Sequence, residues 1–472
     1  MTASPSLDEL QHEYGSKATA VEPGGAEPIP VEDRHGRPSQ MFWTWVSPNM
    51  EFATIFVGII AVLFFGLTFW QAVSAIVIGN ALGAVSHGLL TSWGPERGLA
   101  QMVLSRRPFG YRGNLLPAGI NAVVAGVGWF AVNAISGALA LSALTGWNGY
   151  VCLVIGVALM LAVAFLGYNF VHLFERFTFP VLVVIFIAGM AVILPGTQTG
   201  PVGDAVPGGF WIALAASFGY TAGWNPYAAD YSRYLPAAAA KRAGIFAGLG
   251  NFLSSTVLQV AGGAAVTAVG VANWDGANPT GSYISLMPGW LGGITLLAIF
   301  IGAISANALN LYSAAMSFAA VGLRLPTTFG RAVLAVVVGL AGLVVAIFAL
   351  SHVEAYEGFL LVIAYWIAPW LGVAFADRLL DKTTSGRTGD LTPFTSTRHV
   401  NLAGPIAMAV AMVVSIFFFS NQQLYVGVLA SAIPAIGDIT FIVGFVLAFA
   451  LYAALRRVLS RRGPPRPESP VM

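Results

Sequence analysis

About twelve apolar segments divide this chain of 472 residues, and they constrain its fold more than any other feature. Each segment is close to the ~20 residues that a helix needs to cross a bilayer. Because a backbone in lipid has no water to bond with, membrane spans are helices or closed barrels. We therefore predict an all-α integral membrane protein with 12 transmembrane helices. Numbered along the chain, the predicted spans are residues 44–68, 70–90, 114–144, 150–170, 177–195, 208–227, 244–271, 290–322, 332–350, 356–376, 402–420 and 432–455.

The basic residues indicate how these spans are oriented. All 22 Lys and Arg residues fall in the even-numbered connections and the two terminal segments, as Arg106, Arg233 and Arg378 illustrate. The odd-numbered connections contain none and carry acidic residues such as Asp204. Because Lys and Arg are retained in the cytoplasm during insertion, we predict a multi-pass protein of the cell membrane with both termini cytoplasmic.

Composition argues against several other classes. Charged residues make up 9% of the chain and apolar residues 57%, far from the mix of a soluble domain. The basic residues follow the connections, so we expect no nucleic-acid partner, and no feature indicates an obligate protein partner. The single cysteine, Cys152 in span 4, excludes a disulfide framework and a thiol metal site. His87 and His172 are isolated near span ends, so we predict neither enzymatic activity nor a cofactor.

One membrane domain lies between two terminal segments. Residues 1–40 are polar and rich in Pro, Gly and Glu, which predicts a disordered cytoplasmic tail. Residues 41–455 form the predicted transporter domain, and residues 456–472 form a basic, proline-rich cytoplasmic tail. Because both tails are short, a receptor with a soluble output domain is not favoured.

Two spans contain sequence that interrupts a helix. Span 1 reads Trp-Val-Ser-Pro-Asn-Met-Glu over residues 45–51, and span 6 reads Ser-Phe-Gly-Tyr-Thr-Ala-Gly-Trp-Asn-Pro over residues 217–226. Proline removes a backbone donor and clashes with the preceding turn. A single interruption often means only a kink, whereas matched interruptions five spans apart predict an inverted-repeat transporter with its site between them. Repeat one would cover about residues 41–195 and repeat two about residues 208–380, with two extra helices at about residues 402–455.

Spans 3 and 8, which correspond in the two repeats, carry polar and aromatic residues on shared helical faces. Trp129 and Asn133 are four residues apart in span 3, and Asn307 and Asn310 are three apart in span 8. Each asparagine alone is explained by hydrogen bonding between helices, without any ligand. Together with the indole they predict a binding pocket, because polar residues in spans face the bundle interior.

The residues of this pocket favour a small, planar, neutral solute. An indole offers a stacking face, worth ~1–3 kcal/mol per nucleobase, and an asparagine carries a donor and an acceptor side by side. No span contains a positive charge that would pair with an anion. Sugars would fit these side chains less well, and amino acids would fit them less well still.

The residues also provide oxygen ligands for a coupling ion. Hard cations prefer oxygen ligands, and unwound transporter helices offer carbonyls to Na⁺. The carbonyls from Val46 to Asn49, the Asn49 side chain and the Ser305 hydroxyl form the predicted ion site. Alternatively, Ser305 bonds back to its own helix. Glu51 and Asp438 are the carboxylates predicted within spans, and either is a candidate proton carrier, so Na⁺ and H⁺ coupling both stay open.

At the end of span 6 the chain resembles a known family. Residues 228–236 read Ala-Ala-Asp-Tyr-Ser-Arg-Tyr-Leu-Pro, which is similar to the signature of the nucleobase–cation symporter-1 family in its purine–cytosine permease branch. The resemblance extends to residues 45–49, 108–110, 310–314 and 369–370. It implies a LeuT-type fold with a 5+5 inverted repeat and two further helices. It also implies uptake of cytosine or purines coupled to Na⁺ or H⁺, with uptake of allantoin or hydantoin, or of vitamin B6 or thiamine, as alternatives.

The resemblance implies roles for particular residues. Trp129 matches the stacking tryptophan of span 3, Asn133 a substrate-contacting amide, and Asn310 the substrate-binding asparagine of span 8, with Asn307 as its rival. Ser305 matches a sodium ligand, but Ala306 replaces a second hydroxyl, which keeps proton coupling open. The span 6 segment that supplies a second aromatic ring and backbone contacts is Phe218, Gly219, Tyr220 and Thr221, with Phe218 and Tyr220 competing for the aromatic role.

Alternating access is the expected mechanism, in which spans 1, 2, 6 and 7 rock against a scaffold of spans 3, 4, 8 and 9. Asp230 and Arg233, at the cytoplasmic end of span 6, are expected to organise a loop or an inner gate by pairing. The other residues expected to shape or gate the pathway are Pro48, Glu51 and Gly223, which lie at the two interruptions.

Overall fold

The fold is almost entirely helical. A computed structural model describes residues 17, 25–166, 168–276, 278–322, 330–350, 355–384, 390–422 and 424–460. Within these residues the helices that fill the predicted spans are Gln40–Val46 with Phe52–Leu63, Phe69–Thr91, Leu115–Val123 continuing through the π-helix Val124–Trp129 into Phe130–Thr145, Gly149–Leu166, Tyr168–Ile193, Gly209–Ala222, Ala240–Val269, Gly289–Val321, Gly330–Ala349, Ala355–Thr384, Ala403–Phe419 and Thr440–Ser460.

Short helices lie before span 1, between the spans and within the two interruptions. The α-helices among them are Trp93–Arg97, Gln101–Leu104, Arg106–Phe109, Ala228–Ser232, Pro279–Ile284, Thr392–Thr395 and Val428–Ala432. The 3₁₀-helices are Val31–Asp33, Ser47–Asn49, Leu194–Gly196, Asn225–Tyr227, Ala237–Ala239, Val271–Asn273 and Pro434–Ile436. Extended pairing within the described residues consists of two isolated bridges, Gly110 with Val400 and Asn421 with Val426.

The predicted all-α membrane class is confirmed. In the described part of the chain, nine helices are long and apolar enough to cross a membrane, and span 1 adds a pair of helices bent by 60°. Span 11 is a shorter apolar helix, Ala403–Phe419. The span 6 helix Gly209–Ala222 has 14 residues, or about 21 Å at 1.5 Å per residue, so it does not cross a bilayer alone. The count of twelve crossings stays a prediction.

Three predicted boundaries were wrong. Span 10 ends at Thr384 rather than at residue 376. Span 5 begins at Tyr168 rather than at residue 177, so the predicted connection before it is helical. Glu175, within that predicted connection, is fully buried. Span 12 begins at Thr440 rather than at residue 432. Pro434 and the left-handed Gly437 (φ 57°) hold the intervening residues outside the helix.

The spans form two groups and a C-terminal pair. Span 7 packs along spans 1 and 2, and span 6 packs on span 2, whereas span 8 packs on spans 3, 4 and 9. These groups match the predicted moving bundle and scaffold. Spans 11 and 12 pack on each other, and span 12 lies along span 10.

Glycine allows spans 1 and 7 to touch backbone to backbone. A Cβ on Gly58 would lie 1.6 Å from the Gln259 carbonyl oxygen, and one on Gly262 would lie 2.0 Å from the Ile55 oxygen. Without a strong hydrophobic force between helices in lipid, such close packing of small residues drives association. Spans 1 and 7 are therefore joined closely enough to move together.

Part of the predicted N-terminal tail is packed rather than disordered. Ile29 is 4% exposed, and its N–H donates to the Gly98 carbonyl at 2.9 Å. The His35 N–H donates to the Tyr234 carbonyl at 2.6 Å. Through these bonds the segment lies against the ends of spans 2 and 6, although some of its side chains, such as that of Val31, are exposed. Residues 1–16 and 18–24 of the predicted tail, and 461–472 of the C-terminal one, lie outside the described residues.

Ion pairs connect the C-terminal spans to the rest of the molecule. Arg107, from the connection between spans 2 and 3, contacts Asp377 at 2.6 Å and Asp381 at 2.5 Å in span 10. Arg456 of span 12 contacts Asp377 at 2.7 Å, and the Tyr452 hydroxyl donates to the same carboxylate at 2.6 Å. Because these groups lie at the predicted cytoplasmic ends of the spans, the pairs fix that end of spans 10 and 12.

Candidate substrate and ion site

The predicted interruption of span 1 is confirmed. The first helix ends at Val46, and Pro48 lies in a 3₁₀ turn of three residues, Ser47–Asn49. Glu51 is extended (φ −150°, ψ 172°) and caps the second helix by accepting from the Ala53 N–H at 2.9 Å. A carboxylate suits this position because free N–H groups and the helix dipole favour negative charge there.

Span 6 is also interrupted, opposite span 1. Its first helix ends at Ala222, and Gly223 leads into a 3₁₀ turn that contains Pro226. Trp224 Nε1 donates to Asn49 Oδ1 at 2.8 Å, so the two interruptions are bonded to each other. The Thr54 hydroxyl joins them a second time, because it donates to the Asn49 carbonyl at 2.5 Å and is also bonded to the Tyr220 hydroxyl.

Trp129 lies at the end of a π-helical turn in span 3, within the ring of spans 1, 6, 8 and 10. π-Helical turns are rare and occur frequently at functional sites. The indole is 7% exposed. Three aromatic rings meet it near right angles, with centroids at 5.0 Å for Phe359, 5.6 Å for Tyr220 and 6.2 Å for Tyr356. A Cβ on Gly223 would lie 3.1 Å from this indole, so the glycine keeps span 6 close to it.

The four span 6 candidates point in different directions. Tyr220 faces Trp129, whereas Phe218 stacks on Phe441 of span 12 at 4.8 Å. The Thr221 hydroxyl donates to Asn80 of span 2 at 2.6 Å. Gly219 lies against span 10, where a Cβ would come within 2.4 Å of the Leu360 carbonyl oxygen. Neighbouring helical residues are rotated by about 100°. Of the four, Tyr220 is therefore the one that faces Trp129 directly.

The three asparagines of spans 3 and 8 form one cluster. Asn307 Oδ1 accepts from Asn133 at 3.2 Å and from Asn310 at 3.1 Å. The Asn307 amide group donates to the Phe130 carbonyl at 2.9 Å. Asn133 Oδ1 and Asn310 Oδ1 are buried and accept no hydrogen bond from the residues that the structure describes. One unfilled acceptor, that of Asn133, therefore lies one helical turn after Trp129, and the other, that of Asn310, belongs to the same asparagine cluster.

The predicted ion ligands do not all meet. Ser305 donates to Glu175 Oε1 at 2.6 Å, and its oxygen lies 3.4 Å from the Ser47 hydroxyl of span 1. The Asn49 side chain is used elsewhere: it accepts from Trp224 and donates to the Trp45 carbonyl and to span 7. Val46 is the last residue of the first helix and is buried. Ser47, rather than the Asn49 side chain, is the span 1 group next to Ser305.

Asp230 and Arg233 lie at the cytoplasmic end of span 6. Asp230 Oδ1 accepts from the Gln101 N–H at 2.7 Å. The Arg233 guanidinium donates to the Tyr312 hydroxyl of span 8 at 3.1 Å and to the Gly25 carbonyl at 2.9 Å. Both side chains are buried. They tie span 6 to the scaffold and to the N-terminal segment, as residues of an inner gate would.

Sequence reasoning missed four residues of this region. For Ser47, only the backbone carbonyl was predicted to be an ion ligand. Glu175 fell in the predicted connection between spans 4 and 5. Tyr356 and Phe359 of span 10 have no polar pattern that would mark them. A signal for Glu175 existed, because it follows His172 by three residues and precedes Thr178 by three, the spacing of one helical face.

The comparisons with known proteins agree with the geometry. Residues 28–444 match the model of a family described as permease for cytosine/purines, uracil, thiamine, allantoin. A purine-cytosine permease of Emericella nidulans is 30% identical over 438 residues, which cover 87% of this chain and 83% of that protein.

Solved structures show the same fold. Mhp1, a nucleobase-cation-symport-1 family transporter solved in a closed conformation with bromovinylhydantoin bound, superposes with a TM-score of 0.74 at 21% identity. The match covers 94% of this chain and 97% of Mhp1. A Na⁺-coupled sialic acid symporter gives a TM-score of 0.63 at 13% identity, covering 97% of this chain and 95% of that one. The predicted LeuT-type architecture is thereby confirmed, and the fold is one used by cation-coupled symporters. The chain belongs to the family of permeases for cytosine/purines, uracil, thiamine and allantoin, and is a membrane transporter rather than an enzyme.

Proposed function

We propose that this permease imports a nucleobase, cytosine or a purine, by alternating access coupled to Na⁺ or H⁺. The observation that carries the proposal is the pair of unfilled amide oxygens on Asn133, one helical turn after Trp129, and on Asn310, which is joined to Asn133 through Asn307. A buried acceptor left unsatisfied costs about 1–3 kcal/mol, so the cluster favours a ligand that donates hydrogen bonds. Cytosine and the purines present ring or exocyclic N–H groups on a flat ring.

The aromatic surroundings support a flat ligand. Stacking on an indole is worth ~1–3 kcal/mol per base and tolerates different bases. Tyr220, Tyr356 and Phe359 enclose the same indole. Opening of this aromatic cluster would admit substrate, and its closure would exclude water. The name of the Emericella nidulans relative, a purine-cytosine permease, points to the same substrates.

Allantoin or hydantoin is the second candidate, because Mhp1 was solved with bromovinylhydantoin bound. These compounds also carry N–H donors, but their saturated ring atoms offer less surface for stacking on Trp129. Vitamin B6 or thiamine is the third candidate class.

For localisation we propose the cell membrane with both termini in the cytoplasm. The supporting observation is the distribution of Lys and Arg. In this orientation the inner end of span 6, with Asp230 and Arg233, faces the cytoplasm. Substrate would be released there once that end separates from span 8.

The test is uptake of labelled cytosine into proteoliposomes that contain the purified protein. We expect adenine and cytosine to compete strongly, and allantoin and pyridoxine to compete weakly. Inhibition by allantoin or by pyridoxine, without inhibition by adenine, would contradict the nucleobase assignment. A Na⁺ gradient and a pH gradient, imposed separately, identify the driving ion.

A further inference from the structure

We propose that the carboxyl group of Glu175 binds the coupling cation at the junction of spans 1, 5 and 8. The cation is monovalent, Na⁺ or a proton, and the inference rests on the proposed function of cation-coupled import. Neither of the carboxylates predicted within spans, Glu51 and Asp438, has this position.

Glu175 lies where moving and static parts of the transporter meet. Span 5 packs on span 8 and on the first half of span 1. Ser305 of span 8 donates to Glu175 Oε1 at 2.6 Å, and the Ser47 hydroxyl in the interruption of span 1 lies 3.4 Å from Ser305. Ser47 also lies 3.2 Å from the Thr178 hydroxyl, one turn after Glu175. A chain of oxygens thus runs from the scaffold, through Glu175 and Ser305, into the break of span 1.

The carboxyl group is buried without a compensating partner. Glu175 is fully buried, and Oε2 accepts no hydrogen bond from the described residues. Nor does any Lys or Arg among those residues form an ion pair with it. A buried carboxylate is stable only when it is paired, bonded or neutralised. A bound cation is therefore the missing partner, and it would sit at Oε2.

The nearby basic groups do not serve this purpose. His172, one turn earlier in span 5, has its Nδ1 3.2 Å from the Thr44 hydroxyl. Arg176 is exposed, as are Lys241 and Arg242 in the first turn of span 7. The phenols of Tyr312 in span 8 and Tyr231 after span 6 lie with their rings 5.1 Å apart, and the Arg233 guanidinium donates to the Tyr312 hydroxyl. Among the described residues, none of these groups bonds to Oε2.

Four other carboxylates are buried among the described residues, and all have partners. Asp230 accepts from the Gln101 N–H, and Asp377 pairs with Arg107 and Arg456. The remaining two are those of the predicted spans. Glu51 accepts from the Ala53 N–H and from Ser136 at 3.1 Å. The N-terminus of the helix Phe52–Leu63 therefore stabilises its negative charge. Asp438 accepts from the Thr440 N–H at 3.0 Å, from the Asn421 N–H at 2.8 Å and from Tyr365. Both therefore have structural partners, which leaves Glu175 as the carboxylate with capacity for a cation.

The position also explains how the cation would drive transport. A ligand shifts a conformational equilibrium only if it binds the two states differently. Ser47 belongs to the moving bundle, whereas Glu175 and Ser305 belong to its surroundings. A rocking motion that separates Ser47 from Ser305 would change the number of oxygens around the cation and so its affinity.

Glu175→Gln separates coupling from substrate binding. In proteoliposomes, wild-type protein should accumulate labelled cytosine under an imposed Na⁺ or pH gradient and should exchange it in counterflow without a gradient. We expect Glu175→Gln to retain counterflow and to lose accumulation under both gradients. Asp204→Asn, the same change from carboxylate to amide at an exposed position between spans 5 and 6, is the control and should retain both activities. Accumulation by Glu175→Gln under either gradient would overturn the inference.

Two further outcomes distinguish a failure of the proposed function from a failure of the role of Glu175. If the wild-type protein shows no counterflow with any nucleobase, the proposed function fails, independently of Glu175. If Glu175→Gln loses counterflow as well, Glu175→Asp decides, since it keeps the charge on a shorter side chain. We expect a higher cation concentration for half-maximal uptake in Glu175→Asp with counterflow retained, and an unchanged cation dependence would refute the role.

Discussion

At the residue scale, neighbouring polar side chains divide into those whose hydrogen bonds are filled within the protein and those that keep an unfilled acceptor. Asn307 fills its bonds within the protein, since it accepts from both other asparagines and donates to the Phe130 carbonyl. Asn133 and Asn310 each keep an unfilled oxygen among the described residues. Under the proposed function, asparagines at three positions of the same cluster would therefore have two different roles.

Asn307→Ala should mainly lower stability, whereas Asn310→Ala should mainly raise KM. Loss of a neutral hydrogen bond of about 0.5–1.5 kcal/mol to substrate predicts a roughly 2- to 12-fold rise in KM for Asn310→Ala. Its loss of stability should be small, because Asn307 still accepts from Asn133. Asn307→Ala strands the donors of its two neighbours and should destabilise the protein by about 1–3 kcal/mol. Uptake kinetics and thermal unfolding in detergent measure the two effects. Equal losses of stability in both variants would contradict this division.

Trp129→Ala should abolish nucleobase uptake while leaving expression in the membrane intact. The substitution removes the stacking face and opens the aromatic cluster around Tyr220 and Phe359. Trp129→Phe is the control, because it keeps a smaller face and should retain part of the uptake. Normal transport by Trp129→Ala would remove the proposed stacking site.

At the element scale, the interrupted helices are held by packing on their neighbours. The second half of span 1 is apolar all round and buried from Phe52 to Val62. Its contact with span 7 depends on glycines at which a side chain would collide with backbone. This rigid contact lets the break in span 1, rather than the span 1–span 7 interface, absorb a conformational change.

Adjacent glycines of span 7 provide a test. A Cβ on Gly262 would lie 2.0 Å from the Ile55 carbonyl oxygen, whereas one on Gly263 would have no neighbour nearer than 3.5 Å. We expect Gly262→Ala to destabilise the protein by at least about 1–3 kcal/mol, the usual effect of overpacking. Gly263→Ala should be nearly neutral. Thermal unfolding of both variants in detergent checks this, and equal stability would mean that spans 1 and 7 separate readily.

At the scale of the whole molecule, arginine side chains connect separate helices at the end where the basic residues gather. Arg233 links span 6 to span 8 and to the N-terminal segment, and Arg107 links the connection before span 3 to span 10. These contacts close the face on which the basic residues gather. The contacts therefore hold the helices together at the end that is proposed to face the cytoplasm, where substrate would leave.

Topology follows from the same charge distribution. We expect a green fluorescent protein fused to the C-terminus to fluoresce, because it folds in the cytoplasm, and alkaline phosphatase at that position to be inactive. Fusions at Asp204, in the connection between spans 5 and 6, should give the opposite pattern. An active phosphatase at the C-terminus would invert the proposed orientation.

Local chemistry made much of the fold predictable. Hydropathy located the spans, and the prolines and glycines of spans 1 and 6 located the interruptions, since their effect on a helix is local. The boundary of span 5 was not predictable in the same way, because a buried Glu175 and a solvated one have the same sequence neighbours. Only its bond to Ser305, 130 residues away, distinguishes them.

The sequence by itself determined the membrane class, the two interruptions and the residue types of the pocket, because hydrophobicity and backbone sterics act over a few residues. Tertiary structure alone decided that Tyr220 faces Trp129, that Asn49 bonds within the bundle and that Glu175 meets Ser305. The reason is physical: a helix that is apolar on every side can rotate without a change in its pattern. Its orientation is set only by close packing against helices distant in the sequence.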